Sequence, residues 1–360
     1  MRKRYLLLVI LLVCYLLAVS EGASILREAD FYIKLADDYV RCDLCPNYCV
    51  LKAGETGICK VRKNIKGTLY SLVYNRPISI NIDPIEKKPL YHFLPGTQVL
   101  SLATVGCNLN CNFCQNWTIS QSSPDETAAK EVTPENIIEL AREYDCPSIA
   151  FTYTEPTVFY EYMYDIAVLA HQNGLKTVWV TCGYINEAPL RKLAKYIDAA
   201  NIDLKGFTED FYHTYTTGSL QPVLNTLKIA REEGIYFEIT NLVIPDANDD
   251  QATIHLMCGW IKSNLGTGYP LHFSRFFPNY KLTNRPQTPY KTLKDAYDIA
   301  LDEELKYVYV GNISGISEDT ICPNCNQKLI IRSGYTIKEN NIEHGKCKFC
   351  GEEIPGLFAP

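Results

Sequence analysis

Between residues 99 and 310, short β-branched or aromatic runs alternate with longer helical stretches, and this rhythm limits the fold more than any other feature of the chain. The runs are Val99 to Val105, Ser148 to Tyr153, Lys176 to Thr181, Ala199 to Leu204, Tyr236 to Ile244, Leu271 to Phe276 and Tyr307 to Val310. Between them lie Pro134 to Tyr144, Val158 to Asn173, Ala188 to Tyr196, Pro222 to Glu233, Gln251 to Ser263 and Lys291 to Glu304, read as helices. Strand, helix, strand at this spacing requires a parallel sheet with right-handed crossovers. So many units favour a full or partial (β/α) barrel over a doubly wound sheet, with active residues at the carboxyl ends of the strands. A composition of 47% hydrophobic and 21% charged residues can fill such a core. The net charge of −6 removes the broad basic field that DNA binding draws on.

The 15 cysteines are the second constraint. Eleven fall in three tight groups: Cys42, Cys45, Cys49 and Cys59; Cys107, Cys111 and Cys114; Cys322, Cys325, Cys347 and Cys350. The scattered Cys14, Cys146, Cys182 and Cys258 are read without a metal role. Thiols two or three residues apart suit a shared metal better than a disulfide. The middle group, Cys107-x3-Cys111-x2-Cys114, follows the first barrel strand and offers three ligands. Three thiolates on a [4Fe-4S] cluster leave one iron open to a small molecule, whereas an electron carrier closes that site.

This motif, with Phe113 before its last cysteine, resembles the signature of the radical S-adenosylmethionine (SAM) superfamily. The resemblance implies that SAM chelates the open iron and is reductively cleaved to a 5′-deoxyadenosyl radical, which takes hydrogen from a substrate. Other strand ends agree. Glu155, in Thr154-Glu155-Pro156, stands where the family's Gly-Gly-Glu holds the SAM amino group, although the glycines are missing here. Asp203 and Lys205 resemble the Asp-x-Lys that lies around SAM in pyruvate formate-lyase activating enzymes. His272 is placed toward the adenosine, and Thr181-Cys182-Gly183 and Glu238 toward the same mouth. Together with Cys42-x2-Cys45-Pro-x2-Cys49, Tyr153 to Thr157, Val310-Gly-Asn312 and the terminal cysteines, the set resembles the AmmeMemoRadiSam-system radical SAM family from about residue 40 onward. That family implies an enzyme with a low-potential electron donor and a substrate that includes partner proteins among its candidates. The alternative is an iron–sulfur electron-transfer or metal-binding protein without SAM chemistry.

The terminal group, two Cys-x2-Cys knuckles separated by 21 residues, reads as structural zinc in a small ribbon around a hairpin at Ser333-Gly334. Cys42, Cys45, Cys49 and Cys59 fit either zinc or a second cluster. The expected organisation is a leader or membrane anchor over 1–23, an extension with the four-cysteine metal-binding loop over 24–96, the barrel over 97–317 and the ribbon over 318–360. A helical lead-in is expected from Ser24 to Val40. Arg2, Lys3 and Arg4 before an apolar run from Tyr5 to Val19 resemble a cleavable leader, the run being short against a span of about 20 residues. A short anchor and a mis-assigned start are the other readings. SAM and low-potential reductant place the barrel in the cytoplasm, free or anchored, with export by the leader as the competing outcome. The sequon Asn116-Trp-Thr118 lies inside the proposed cluster loop, where a glycan and a cluster exclude one another.

Overall fold

The computed structural model describes residues 26–358. The seven expected strands are present and, with one more, form an eight-stranded sheet. They are β1 (Ser79–Pro84), β2 (Gln98–Ala103), β3 (Ser148–Phe151), β4 (Lys176–Thr181), β5 (Ala199–Asp203), β6 (Tyr236–Val243), β7 (Leu271–Arg275) and β8 (Val308–Gly311). Strands β2 to β8 are parallel, each beside its neighbour in sequence, and β1 pairs antiparallel with β2. A doubly wound sheet reverses its strand order part-way, and this one does not. Nor does it close: β1 and β8 are its two edges, so the architecture is a partial barrel.

Helices α1 (Pro134–Glu143), α2 (Tyr160–Gln172), α3 (Glu187–Ala194), α4 (Leu220–Glu232), α5 (Gln251–Asn264) and α6 (Tyr290–Asp302) follow β2 to β7 in turn. Local chemistry sets their starts. At α1 the Thr133 hydroxyl accepts from the Asn136 N–H and Pro134 occupies the first turn, where its missing donor is harmless. Asp250 caps α5 in the same way through Thr253. All four residues of β3 are buried, as expected of a parallel strand covered on both faces.

Among the described residues, from 26 to 40, the expected lead-in helix is absent. Arg27–Glu28 and Tyr32–Lys34 are short strands that pair with Thr68–Ser71 and Val40–Cys42. Phe31, Asp37 and Asp38 take positive φ, which ends any helix there, and the backbone bonds go to neighbouring strands instead. Two small three-stranded sheets result, and they sit against α2. The contact is a buried ion pair: Arg62 Nη1 and Nη2 reach the two Glu161 oxygens at 3.0 and 2.9 Å. The Asp30 N–H also donates to Glu161.

At the other end, Thr320–Ile321, Lys328–Ser333 and Thr336–Asn340 form an antiparallel sheet, the expected hairpin. Its Leu329 and Ile330 pack on Tyr91, Tyr307 and Tyr309. The tail returns to the loop before β2, where Leu357 pairs with Phe93 and Pro355 O meets His92 Nδ1. Among the described residues no helix is long and apolar enough to cross a membrane, and the leader or anchor over 1–23 lies outside the described residues.

Candidate active site

A cavity of about 530 Å³ opens at the carboxyl ends of the strands. Its floor carries Cys107, Cys111 and Cys114, on the loop that leaves β2. The loop is fixed from several sides: the Leu109 N–H approaches Cys107 Sγ at 3.4 Å, Cys114 Sγ lies 3.2 Å from Ser120 Oγ, and Asn110 N and Asn112 N donate to Thr216 O and Tyr215 O. Gly106 sets its first turn with φ +97°. A Cβ there would stand 2.6 Å from Cys59 O, so only glycine permits this approach. Phe113 is buried at the cavity wall with its ring 6.2 Å from that of Phe211.

The other strand ends converge on the same space. Asp203, the last residue of β5, and Lys205, two residues on, line it as an ion pair of 2.8 Å. Burial alone lowers the Lys205 pKa, but Asp203 and the sulfurs of Cys111 and Cys182 outweigh it and hold the ammonium charged. Glu155 lines the cavity from β3, almost fully buried. Its Oε1 accepts from Thr157 N, Thr157 Oγ1 and Thr181 Oγ1, and its Oε2 from Cys182 N at 2.8 Å, which leaves acceptor capacity on Oε2. Two residues earlier, Tyr153 takes φ +63°, the left-handed conformation that a glycine adopts at no cost. A non-glycine residue held in that conformation places backbone strain beside the cavity.

His272 is placed differently. It faces an adjoining cavity of about 350 Å³, with its Nε2 2.5 Å from Glu238 Oε2. Glu238 also accepts from Tyr91 N, His92 N and Tyr236 OH, is fully buried, and lines neither cavity, so it does not reach the mouth as expected. Nothing in the sequence marks Lys87, Lys88 and Tyr335, which the fold brings to the cysteine cavity. Asp83 on β1 holds both lysines, at 2.8 and 2.6 Å, and accepts from Tyr153 OH. Burial, only partly offset by Asp83, lowers the Lys88 pKa to about 8. Cys182, grouped by spacing with the cysteines outside the metal sets, lies in the same cavity.

The radical SAM superfamily profile matches residues 101–257, the segment that contains the three thiols, Glu155, Asp203 and Lys205. A protein of Methanocaldococcus jannaschii described only as uncharacterized is 51% identical over 332 residues, 91% of this chain and 99% of its own. The chain belongs to the radical SAM superfamily. A further relative in that organism, a candidate glycyl-radical enzyme activating enzyme, is 26% identical over 47% of this chain and 67% of its own. Among solved structures, a domain of a pyruvate-formate lyase-activating enzyme from Bacteroides vulgatus is 18% identical over 45% of this chain and 98% of its own, with a TM-score of 0.40.

The superfamily implies a [4Fe-4S] cluster and SAM, and the residues of this radical SAM protein fit both. The three thiols reach one cavity from a single loop, and among the described residues the Cys322 group alone forms a tight single-ion ligand set. Beside them an ammonium and a carboxylate with spare acceptor capacity match the carboxylate and amine of an amino acid. At the far end of the chain, Cys322 Sγ and Cys350 Sγ are 3.6 Å apart and Cys325 Sγ and Cys347 Sγ 3.7 Å, a tight tetrad compatible with the metal site of a zinc-ribbon-like module. The sequon residue Asn116 lines the cluster cavity and donates to Tyr153 O.

Proposed function

We propose that this protein is an enzyme that cleaves SAM reductively and uses the product to abstract hydrogen from a substrate, with a partner protein as the candidate substrate. The observation that carries the reading is the three-thiol loop opening into a strand-end cavity that also holds Lys205, Asp203 and Glu155. When bound, the cluster and SAM together supply one-electron cleavage of the sulfonium to a 5′-deoxyadenosyl radical. The chain's own residues bind and orient. Lys205, kept charged by Asp203, is suited to the SAM carboxylate, and Glu155 Oε2 to its amino group. Phe113 and Phe211 shut water out behind the loop.

Lys87 and Lys88 add positive charge on the far wall, which favours an anionic group on the substrate. Dependence on low-potential reductant and SAM favours a cytoplasmic barrel. The test is anaerobic reconstitution, reduction and addition of SAM, with 5′-deoxyadenosine and methionine measured. Formation of both, abolished by Cys111→Ala, is expected. A cluster-loaded protein that leaves SAM intact would instead be the electron carrier of the alternative reading.

A further inference from the structure

We infer that Cys42, Cys45, Cys49 and Cys59 hold a second [4Fe-4S] cluster, one closed by four protein thiolates, directly behind the loop of the first. The sequence leaves zinc and a cluster equally open at these residues, and the molecule supplies its own standards for telling them apart. Around one tetrahedral ion with metal–sulfur bonds of about 2.3 Å, ligand sulfurs stand about 3.8 Å from one another. The Cys322 group meets that standard, with all four sulfurs within 4.8 Å of each other. Among the described residues it is the one group that does.

The four N-terminal thiols nevertheless surround a single pocket. Neither they nor Cys107, Cys111 and Cys114 form a tight ligand group of the kind the Cys322 set forms. A cubane accounts for this, because it offers a different iron to each thiolate and so keeps the sulfurs farther apart than one ion does.

A second observation points to an anionic occupant. Arg62 forms part of the pocket wall and is 2% exposed. Its Nη1 and Nη2 are taken by Glu161 and Asp30 O, but its Nε–H has no acceptor. A buried N–H left unpaired is unfavourable, and a metal-bound thiolate or sulfide in this pocket would accept it.

The pocket also adjoins the first site. Asn108, next to Cys107, lines it, and Asn47 in the Cys45-Pro46-Asn47 turn donates to Asn108 O at 2.8 Å. The inference concerns what these thiols bind and does not rest on SAM cleavage.

The test is anaerobic reconstitution of the full chain with ferrous iron and sulfide, followed by metal analysis and electron paramagnetic resonance of the reduced protein. About eight irons per chain are expected, falling to about four in Cys107→Ala/Cys111→Ala/Cys114→Ala and to about four in Cys45→Ser/Cys49→Ser. A triple variant with no iron and two zinc ions per chain would overturn the inference. Wild-type protein gives a second readout that survives misfolding of either variant. Two reduced-cluster signals, one moved by SAM and one not, support the second cluster, and a single SAM-responsive signal accounting for all the iron refutes it. Two signals that both ignore SAM would support it while defeating the proposed function.

Discussion

At the scale of single residues, the chemistry that was legible in the sequence is the chemistry that is local in the chain. Cys107, Cys111 and Cys114 announce themselves because one loop carries all three, and Asp203 and Lys205 because one strand end carries both. Lys88 was not legible, since it reaches the cavity through the pairing of β1 with β2 and its burial beside Asp83 and Tyr153, themselves 70 positions apart. Arg62 and Glu161 were hidden for the same reason, being 99 positions apart. Their pair is fully buried, so removing one partner strands the other charge. Glu161→Ala is expected to lower the unfolding free energy by about 3–5 kcal/mol in urea titration, and a loss under about 1 kcal/mol would show that the pair does not matter. Replacing both residues by methionine should recover much of the loss, because the desolvation cost disappears with the charges.

At the scale of elements, periodicity located all seven parallel strands and six helices, with ends displaced by no more than two residues. It failed over the described part of the lead-in, residues 26 to 40, where three positive-φ residues and pairing with Val40–Cys42 and Thr68–Ser71 outweigh a helical pattern. The ribbon hairpin was legible from its cysteines and its Ser333-Gly334 turn, but its reach was not. Tyr335, at the tip, lines both the cysteine cavity and the cavity beside His272. A metal bound by the ribbon's four cysteines would therefore hold a wall of the active-site mouth in place. Chelating it is expected to release about one zinc per chain and to abolish amide-exchange protection over Lys328–Asn340, while β2 to β7 stay protected. Loss of protection across the barrel strands as well would mean that the ribbon is not a separate unit of stability. Tyr335→Ala leaves the metal site intact, so it should raise the KM for SAM in the deoxyadenosine assay without changing the ribbon's zinc content.

At the scale of the whole molecule, the two ends of the described chain are fastened to the barrel by different means, the first by an ion pair to α2 and the last by a neutral histidine. His92 sits between Pro355 O and Tyr309 OH, and burial lowers its pKa from 6.5 to about 4, against the pull of Glu238 and with the help of Arg332 and His272. Between those values the unfolded chain carries a proton that the folded chain refuses. Stability therefore falls as the pH drops through this window and is unaffected by His92 above it. From near pH 7.5 to near pH 5 the loss is about 2 kcal/mol, readable as a shift in the urea midpoint. His92→Asn should be less stable at neutral pH and should lack that slope. If it keeps the slope, another group is responsible.

The same fastening has a consequence in time. His92 and Pro355 are 263 positions apart, so the contact between them cannot form until synthesis has passed Pro355. Every cysteine of the mouth is made long before Tyr335 arrives to narrow it. The carboxyl-terminal hairpin that narrows the mouth is thus the last part of it to be made.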